Sequence, residues 1–223
     1  MQIAIDGPAG AGKSTAARLI AEKLGYIYID TGAMYRALTW KALVKKIDLQ
    51  DEEKLRELAG RTDIRFVKEA EQQQVFCDGV DVSEAIRSPQ INANVSVVAA
   101  QPRVRNVMVK KQQDMAQMND VVMDGRDIGE QVLPQADIKF YVTASIEERT
   151  RRRLLELEKQ GFIQDETSVR RQIEERDRMD RERAMGALKI LDDAFVIDTS
   201  HLDIEVVLDR MLAIIGEKQD ALQ

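Results

Sequence analysis

The sequence predicts an α/β fold built on one five-stranded parallel sheet, and three observations predict it. Five short apolar runs, Ile3–Ile5, Tyr26–Ile29, Val121–Met123, Ile138–Val142 and Ala194–Ile197, are rich in β-branched or aromatic residues, and each stops at an Asp or a Thr. Long helical patterns separate them, and continuous apolar runs alternating with helices mark parallel strands buried on both faces. A glycine-rich segment lies between the first run and the first helix. The length of 223 residues suits one sizeable domain, or a core with an inserted smaller unit.

The elements follow in order. Thr15–Leu24 has Leu19, Ile20 and Leu24 at helical spacing. The interval from 31 to 120 is too long for a single crossover. It opens with a helical segment, Gly32–Lys46, whose Met34, Leu38 and Leu43 fall near one stripe, and continues with Glu52–Gly60, closed by a C-cap glycine. Ile64–Val67, Val75–Cys77 and Val80–Val82 read as a small antiparallel sheet, with Asp78-Gly79 as the hairpin turn. Pro89 and Pro102 punctuate further helical segments, the last over Arg103–Met118. Two arginine-dense helical stretches, Ser145–Gly161 and Glu166–Met185, turn at Gly161, and Leu202–Ile215 closes the core as an amphipathic helix with a polar tail.

Composition removes several function classes. A single cysteine, Cys77, excludes a disulfide within the chain and a Cys-based zinc site, and reads as a small buried hydrophobe. A single histidine, His201, removes His-rich metal sites and leaves a Ser-His-Asp triad dependent on one residue in a loop-like stretch, where it reads as incidental. Aromatic residues are only 4% and the net charge is −6, which argues against a base-stacking, basic groove for nucleic acid. No stretch approaches the ~18 apolar residues of a membrane span. The start, MQIAIDGPAG, lacks a basic region followed by an apolar one, so a cytoplasmic protein without a membrane partner is expected.

The sharpest motif is Gly7-Pro8-Ala9-Gly10-Ala11-Gly12-Lys13-Ser14, followed by Thr15, which fits G-x-x-x-x-G-K-[ST] in full. It follows a predicted strand and precedes a predicted helix, the context that gives the motif meaning. Its backbone N–H groups and the helix N-terminus can cradle phosphates, Lys13 can reach the terminal ones, and Ser14 can ligate Mg²⁺. The spacing implies nucleoside triphosphate binding. No Asn-Lys-x-Asp segment is present to read guanine. The third apolar run ends in Asp124-Gly125-Arg126-Asp127, where Asp124 can hold the water shell of Mg²⁺ and Arg126 suits a second anionic ligand.

Arg36 and Arg126 both follow predicted strands, at the sheet edge where open α/β sheets bind ligands, and two guanidinium groups there can grip a phosphate. At helical spacing Arg176, Asp180 and Arg183 fall at about 0°, 40° and −20°. They continue the stripe begun by Val169 and Ile173, as on a helix whose end lines a cleft; a solvated, salt-bridged helix fits the same spacing. Arg149, Arg151, Arg152 and Arg153 fit a solvated face, a nucleic-acid patch diluted by Glu147, Glu148, Glu156 and Glu158, or a mobile lid that neutralises phosphoryl charge. From the residues alone a kinase for another small acceptor, such as UMP or a carbohydrate-like acid, and a slow nucleotide-dependent switch stay open.

Together with IAIDGPAGAGKST at Ile3–Thr15, the segments DTGAMYR at Asp30–Arg36, DGVDVSEAIRS at Asp78–Ser88, VSVVAAQPRVR at Val95–Arg105, DGRDIG at Asp124–Gly129 and ERDRMDRER at Glu175–Arg183 carry a likeness. The sequence resembles the bacterial cytidylate (CMP/dCMP) kinase family over nearly its whole length. Glu130 departs from the pattern, which usually has threonine there. The resemblance implies a nucleoside monophosphate kinase fold. It divides the chain into a core (1–30, 119–145, 186–223), a nucleoside monophosphate-binding region with the inserted sheet (31–118), and a lid (146–185). It implies transfer of a phosphoryl group from ATP, with Mg²⁺, to CMP or dCMP, by a monomer. It gives Arg36 and Arg126 the CMP phosphate, Ser96, Arg105, Asp127 and Arg183 the cytosine, and Arg176 and Asp180 the sugar. Lys13, Arg36, Arg126 and one lid arginine, for which Arg153 is taken, are the expected catalytic set.

Overall fold

The computed structural model describes residues 1–69, 72–117, 119–159 and 161–220. Among the described residues, eight strands and eight α-helices follow in the order β1 (Gln2–Asp6), α1 (Lys13–Leu24), β2 (Ile27–Asp30), α2 (Thr31–Val44), α3 (Glu52–Arg61), β3 (Ile64–Glu69), β4 (Gln72–Cys77), β5 (Val80–Asp81), α4 (Pro89–Ala99), α5 (Pro102–Ala116), β6 (Val121–Gly125), β7 (Ile138–Thr143), α6 (Ile146–Lys159), α7 (Glu166–Glu182), β8 (Ala194–Asp198) and α8 (Ile204–Asp220). A 3₁₀ turn spans Ala85–Arg87, and one turn of π-helix spans Ile128–Val132.

All five predicted runs are strands of one sheet, in the order β2-β6-β1-β7-β8, and β1 pairs in parallel with β6 and β7, as β7 does with β8. With β1 in the middle, the loops after β1, β6 and β7 leave the same sheet edge side by side, where such sheets bind ligands. Ile3, Ile5, Val122, Phe140 and Val142 pack against Ile20 of α1 and Val207 and Met211 of α8. Burial on both faces holds for β6 and nearly all of β1 but not for the edges, where Ile27 of β2 and Phe195 and Val196 of β8 are exposed. An edge strand has a neighbour on one side only, so an apolar run does not by itself ensure burial.

The chain divides into two compact units, Met1–Tyr28 with Ala116–Gln223, and Ile29–Met115. In the first, α6 and α7 form a helical pair with a small core of Leu157, Val169 and Ile173. The second holds the antiparallel sheet β3-β4-β5 and the helices α2 to α5. Its hairpin turn is Asp78-Gly79 with φ of 50° and 80°, the left-handed pair that a two-residue turn matching the strand twist requires.

Several boundaries differ from the sequence reading for local reasons. Gly60 lies inside α3, and the cap is Thr62, whose hydroxyl donates to Leu58 O at 2.6 Å. That hydroxyl also accepts from the buried Lys41 at 2.9 Å, and Lys41 pairs with Asp78, tying α2 to the hairpin turn. A glycine has no side chain to take part in such a network. α7 stops at Glu182 rather than Met185, because Arg183 turns extended (φ −62°, ψ 144°) and Leu188 N bonds back to Asp180 O. α5 begins at Pro102 and ends at Ala116; Met118, the expected end, lies outside the described residues. No described helix is long and apolar enough to cross a membrane.

Candidate active site

The phosphate loop is shaped by glycines where side chains have no room. Gly7 has φ 149°, and a Cβ there would lie 1.9 Å from Val142 O, so β1 can run past β7 into the loop only with hydrogen at this position. Helices α2, α3, α4 and α7 are each capped by a side chain, Asp30, Asp51, Ser88 and Asp165. Helix α1 begins instead at Gly12 in a left-handed conformation with no side-chain cap. It forgoes the ~1 kcal/mol of such a cap, and its first N–H groups and positive dipole end are left for an anion.

Lys13 is buried and its Nζ donates to Pro8 O at 2.7 Å. Burial, with the Arg126 charge next, pushes its pKa below the ordinary lysine value; Arg176 acts the same way, while Asp124 and Asp180 oppose them. Ser14 Oγ donates to Asp124 Oδ2 at 2.7 Å, and Tyr28 donates its hydroxyl to Asp124 Oδ1 at 2.8 Å. Asp124 is thus oriented from two sides at the end of β6.

Arg126, Asp127, Asp180 and Arg183 come together although 54 to 56 residues separate the partners. Arg126 Nε donates to Asp180 Oδ2 at 2.7 Å, and Arg183 Nη2 donates to Asp127 Oδ1 at 3.3 Å. Burial opposes the charge on Arg126, but Asp180, then Asp124 and Asp177, outweigh it and hold its pKa above the usual arginine value. Burial likewise opposes the Asp180 charge, and Arg126, Arg176 and Arg183 hold its pKa below the usual carboxylate range. Arg176 and Asp180 lie one turn apart on α7, and Arg183 caps the same helix, its N–H bonded to Met179 O. Helical spacing carries through to Arg183, whose Nη1 lies 3.6 Å from Asp180 Oδ1 three residues earlier, and the chain turns away only after it.

In the second unit Asp30 caps α2 through Oδ1, accepting from Ala33 N at 2.7 Å, and holds Arg36 Nη2 at 2.9 Å through Oδ2. Arg105 is buried at the start of α5, donates to Ala99 O at 2.9 Å, and stacks over the Tyr35 ring at 5.4 Å. Ser96 is half-buried on α4.

Among the four arginines of α6, Arg153 pairs with Glu156 at 2.6 Å, and Arg151 pairs with Glu148 on an exposed face. Arg149 and Arg152 lie against the phosphate loop instead. Arg149 Nη1 donates to Asp177 Oδ2 at 2.6 Å and to Ala9 O at 3.2 Å, and Arg152 Nη1 donates to Thr199 Oγ1 at 2.9 Å. Glu130 finds a local partner in Lys189 at 2.5 Å.

Four residues at the site had no role in the sequence reading: Tyr28, which orients Asp124, Asp177, which holds Arg149, and Asp6 and Thr199. Asp6 closes β1 and accepts from Ile128 N and Gly129 N, each at 2.8 Å, which fixes the turn after Asp127. Burial raises its pKa to about 6, against the two backbone N–H groups. A carboxylate directly ending an apolar strand was the available signal. Thr199 is buried after β8, with Oγ1 3.0 Å from Ala11 O. Only the return of β8 beside β7 brings it there.

A central parallel strand ending in a complete phosphate loop, with half-buried arginines in electrostatic reach of its lysine, defines a nucleotide-binding protein of the P-loop class. The chain belongs to the cytidylate kinase family, whose model, described as cytidylate kinase, matches residues 3–217. It is 50% identical over 218 residues to the cytidylate kinase of Bacillus subtilis (strain 168), covering 98% of this chain and 97% of that one. It is also 50% identical over 218 residues to the cytidylate kinase of Desulfitobacterium hafniense (strain Y51), covering 98% and 94%. The fold is shared with an uncharacterized protein from Eubacterium ventriosum at TM-score 0.53 and 12% identity, over 97% and 98% of the two chains.

Proposed function

We propose that the chain transfers the γ-phosphoryl group of ATP to CMP or dCMP, giving ADP and CDP or dCDP. The observation that carries this reading is the placement of the phosphate loop beside paired arginines. Ser14 of the loop donates to Asp124 at 2.7 Å, and Arg126, two residues further on, faces Asp180 at 2.7 Å, so the triphosphate loop and a cluster of paired arginines lie at one sheet edge of one unit. Family membership supplies the identity of the acceptor.

The acceptor needs no general base. A phosphate monoester has a second pKa near ~6 and is largely dianionic at neutral pH. The obstacle is repulsion between two polyanions, and positioning with cationic neutralisation overcomes it. Lys13 takes the terminal donor phosphates, and Arg126 with Arg36 takes the acceptor phosphate. Asp127 accepts from the cytosine amino group but would face a lone pair on uracil. Arg183, Ser96 and Arg105 complete the base set, and Arg176 and Asp180 the sugar set. Residues 146–185 form the lid, and 31–118 the acceptor-binding region. Arg149 and Arg152, already against the loop, are stronger candidates than Arg153 for the transferred group.

The residues suit Mg²⁺. A hydroxyl and a carboxylate 2.7 Å apart, Ser14 and Asp124, are hard oxygen donors beside a phosphate cradle, and Mg²⁺ is commonly held by few protein groups, phosphates and water. Ser14 would ligate the ion and Asp124 would hold its water. The bound ion would neutralise charge on the donor phosphates. A cytoplasmic location belongs to the same reading.

The test is ADP release across a panel of nucleoside monophosphates. Release should be stimulated most by CMP and dCMP. Equal efficiency with CMP and UMP would reject the base assignments, and acceptor-independent release would reject the kinase.

A further inference from the structure

The four charged side chains joined at the ends of β6 and α7 form an alternating row. Arg126 Nε donates to Asp180 Oδ2 at 2.7 Å, Asp180 Oδ1 lies 3.6 Å from Arg183 Nη1, and Arg183 Nη2 donates to Asp127 Oδ1 at 3.3 Å. The side chains of Arg126 and Asp180 are only 17% and 10% exposed. Arg126 also donates Nη1 to Gly125 O at 3.1 Å. A phosphate gripped bidentately needs a guanidinium edge with two parallel N–H groups, and Asp180 holds Nε. A phosphate dianion placed beside this carboxylate would be repelled, and a buried guanidinium cannot lose its carboxylate without another anion in its place.

We propose that Asp180 is a placeholder for the acceptor phosphate on Arg126. The arriving phosphate takes over Arg126 Nε, and the released carboxylate, still largely buried, accepts from the sugar hydroxyls. One anion replaces another at Arg126, so its charge stays compensated throughout. Phosphate capture and sugar capture become a single event. An anion without a sugar displaces Asp180 and offers it nothing in return, so the site selects against bare phosphate. The inference rests on the function proposed above.

The test is titration of inorganic phosphate and of CMP, with the phosphate loop saturated by Mg²⁺ and a non-hydrolysable ATP analogue. Asp180→Asn should bind inorganic phosphate about tenfold more tightly and CMP about tenfold more weakly, because an amide competes poorly for Arg126 and also serves the sugar less well. Opposite signs are the signature, since a merely structural Asp180 would weaken both or neither. Phosphate binding that is not tightened overturns the proposal. So does a gain that persists when Arg126→Gln is added, because the phosphate then sits elsewhere. If Asp180→Asn fails to fold, the Arg126 Nε–H resonance of the unmodified protein decides: CMP should move it, and an unmoved signal overturns the exchange. Absence of CMP phosphorylation by the unmodified protein would sink the proposed function alone, because phosphate titration reads Arg126 whatever the acceptor.

Discussion

In the phosphate loop the positive potential comes from the backbone, focused by glycines and a helix start, with one lysine added. At the ends of β6 and α7 it comes from side chains, each arginine already matched by a carboxylate. The two regions respond oppositely to burial. The Lys13 pKa is pushed down, because burial and the neighbouring arginines outweigh Asp124 and Asp180. The Arg126 pKa is pushed up, because Asp180, Asp124 and Asp177 together outweigh burial. The first region is thus completed by an anion from outside, while the second is neutral by itself and must exchange partners to bind one. Backbone amides have a fixed position but cannot read a base; side chains can, and they need counter-charges while they wait.

The largest expected effect breaks the loop side of this contrast. Lys13→Met should lower turnover by about 10²–10³-fold with the circular dichroism spectrum unchanged, and turnover like the unmodified protein would remove Lys13 from the reaction. On the side-chain region Arg126→Lys keeps the charge but loses the fork. It should raise KM for CMP by about tenfold while leaving KM for ATP unaltered; a matching rise for ATP would show that the two regions are not separable. Asp127→Ala should erode the preference for CMP over UMP by about tenfold, as judged from the ratio of kcat/KM values. A retained preference would move base reading away from this residue.

A separate effect, on stability rather than turnover, concerns Asp6, which couples the regions by holding the turn after Asp127. Its folded pKa of about 6 lies above the ordinary aspartate value of 3.8, so the folded state holds the proton more tightly. Its relative stabilisation is complete below about pH 4 and is lost as pH rises through about 6, with a full span of about 3 kcal/mol. Asp6→Asn should flatten the pH dependence of stability across that window in chemical denaturation. An unchanged slope would assign the titration to another group.

Much of the fold was legible because its signals are local. Five apolar runs became five strands, and Asp78-Gly79 became the turn it advertised. Cys77 is buried, and desolvation raises its thiol pKa to about 11, as suits a small hydrophobe. Legibility failed where a long-range partner decided the outcome. Thr62 rather than Gly60 caps α3 because Lys41 reaches it from α2, and β8 is half-exposed because no described strand pairs with its outer edge.

The sequence by itself determined the phosphate loop, since a cradle of consecutive amides needs only consecutive residues. It also determined that acids and arginines follow the strands. Tertiary structure alone decided which of them meet: that Arg126 is matched by Asp180, that Arg183 at the C-cap of α7 meets Asp127, and that Arg149 and Arg152 face the loop. The physical reason is range. Backbone conformation is set by neighbours in the chain, whereas compensation of a buried charge is set by whatever the fold brings within a few ångströms, however distant in sequence.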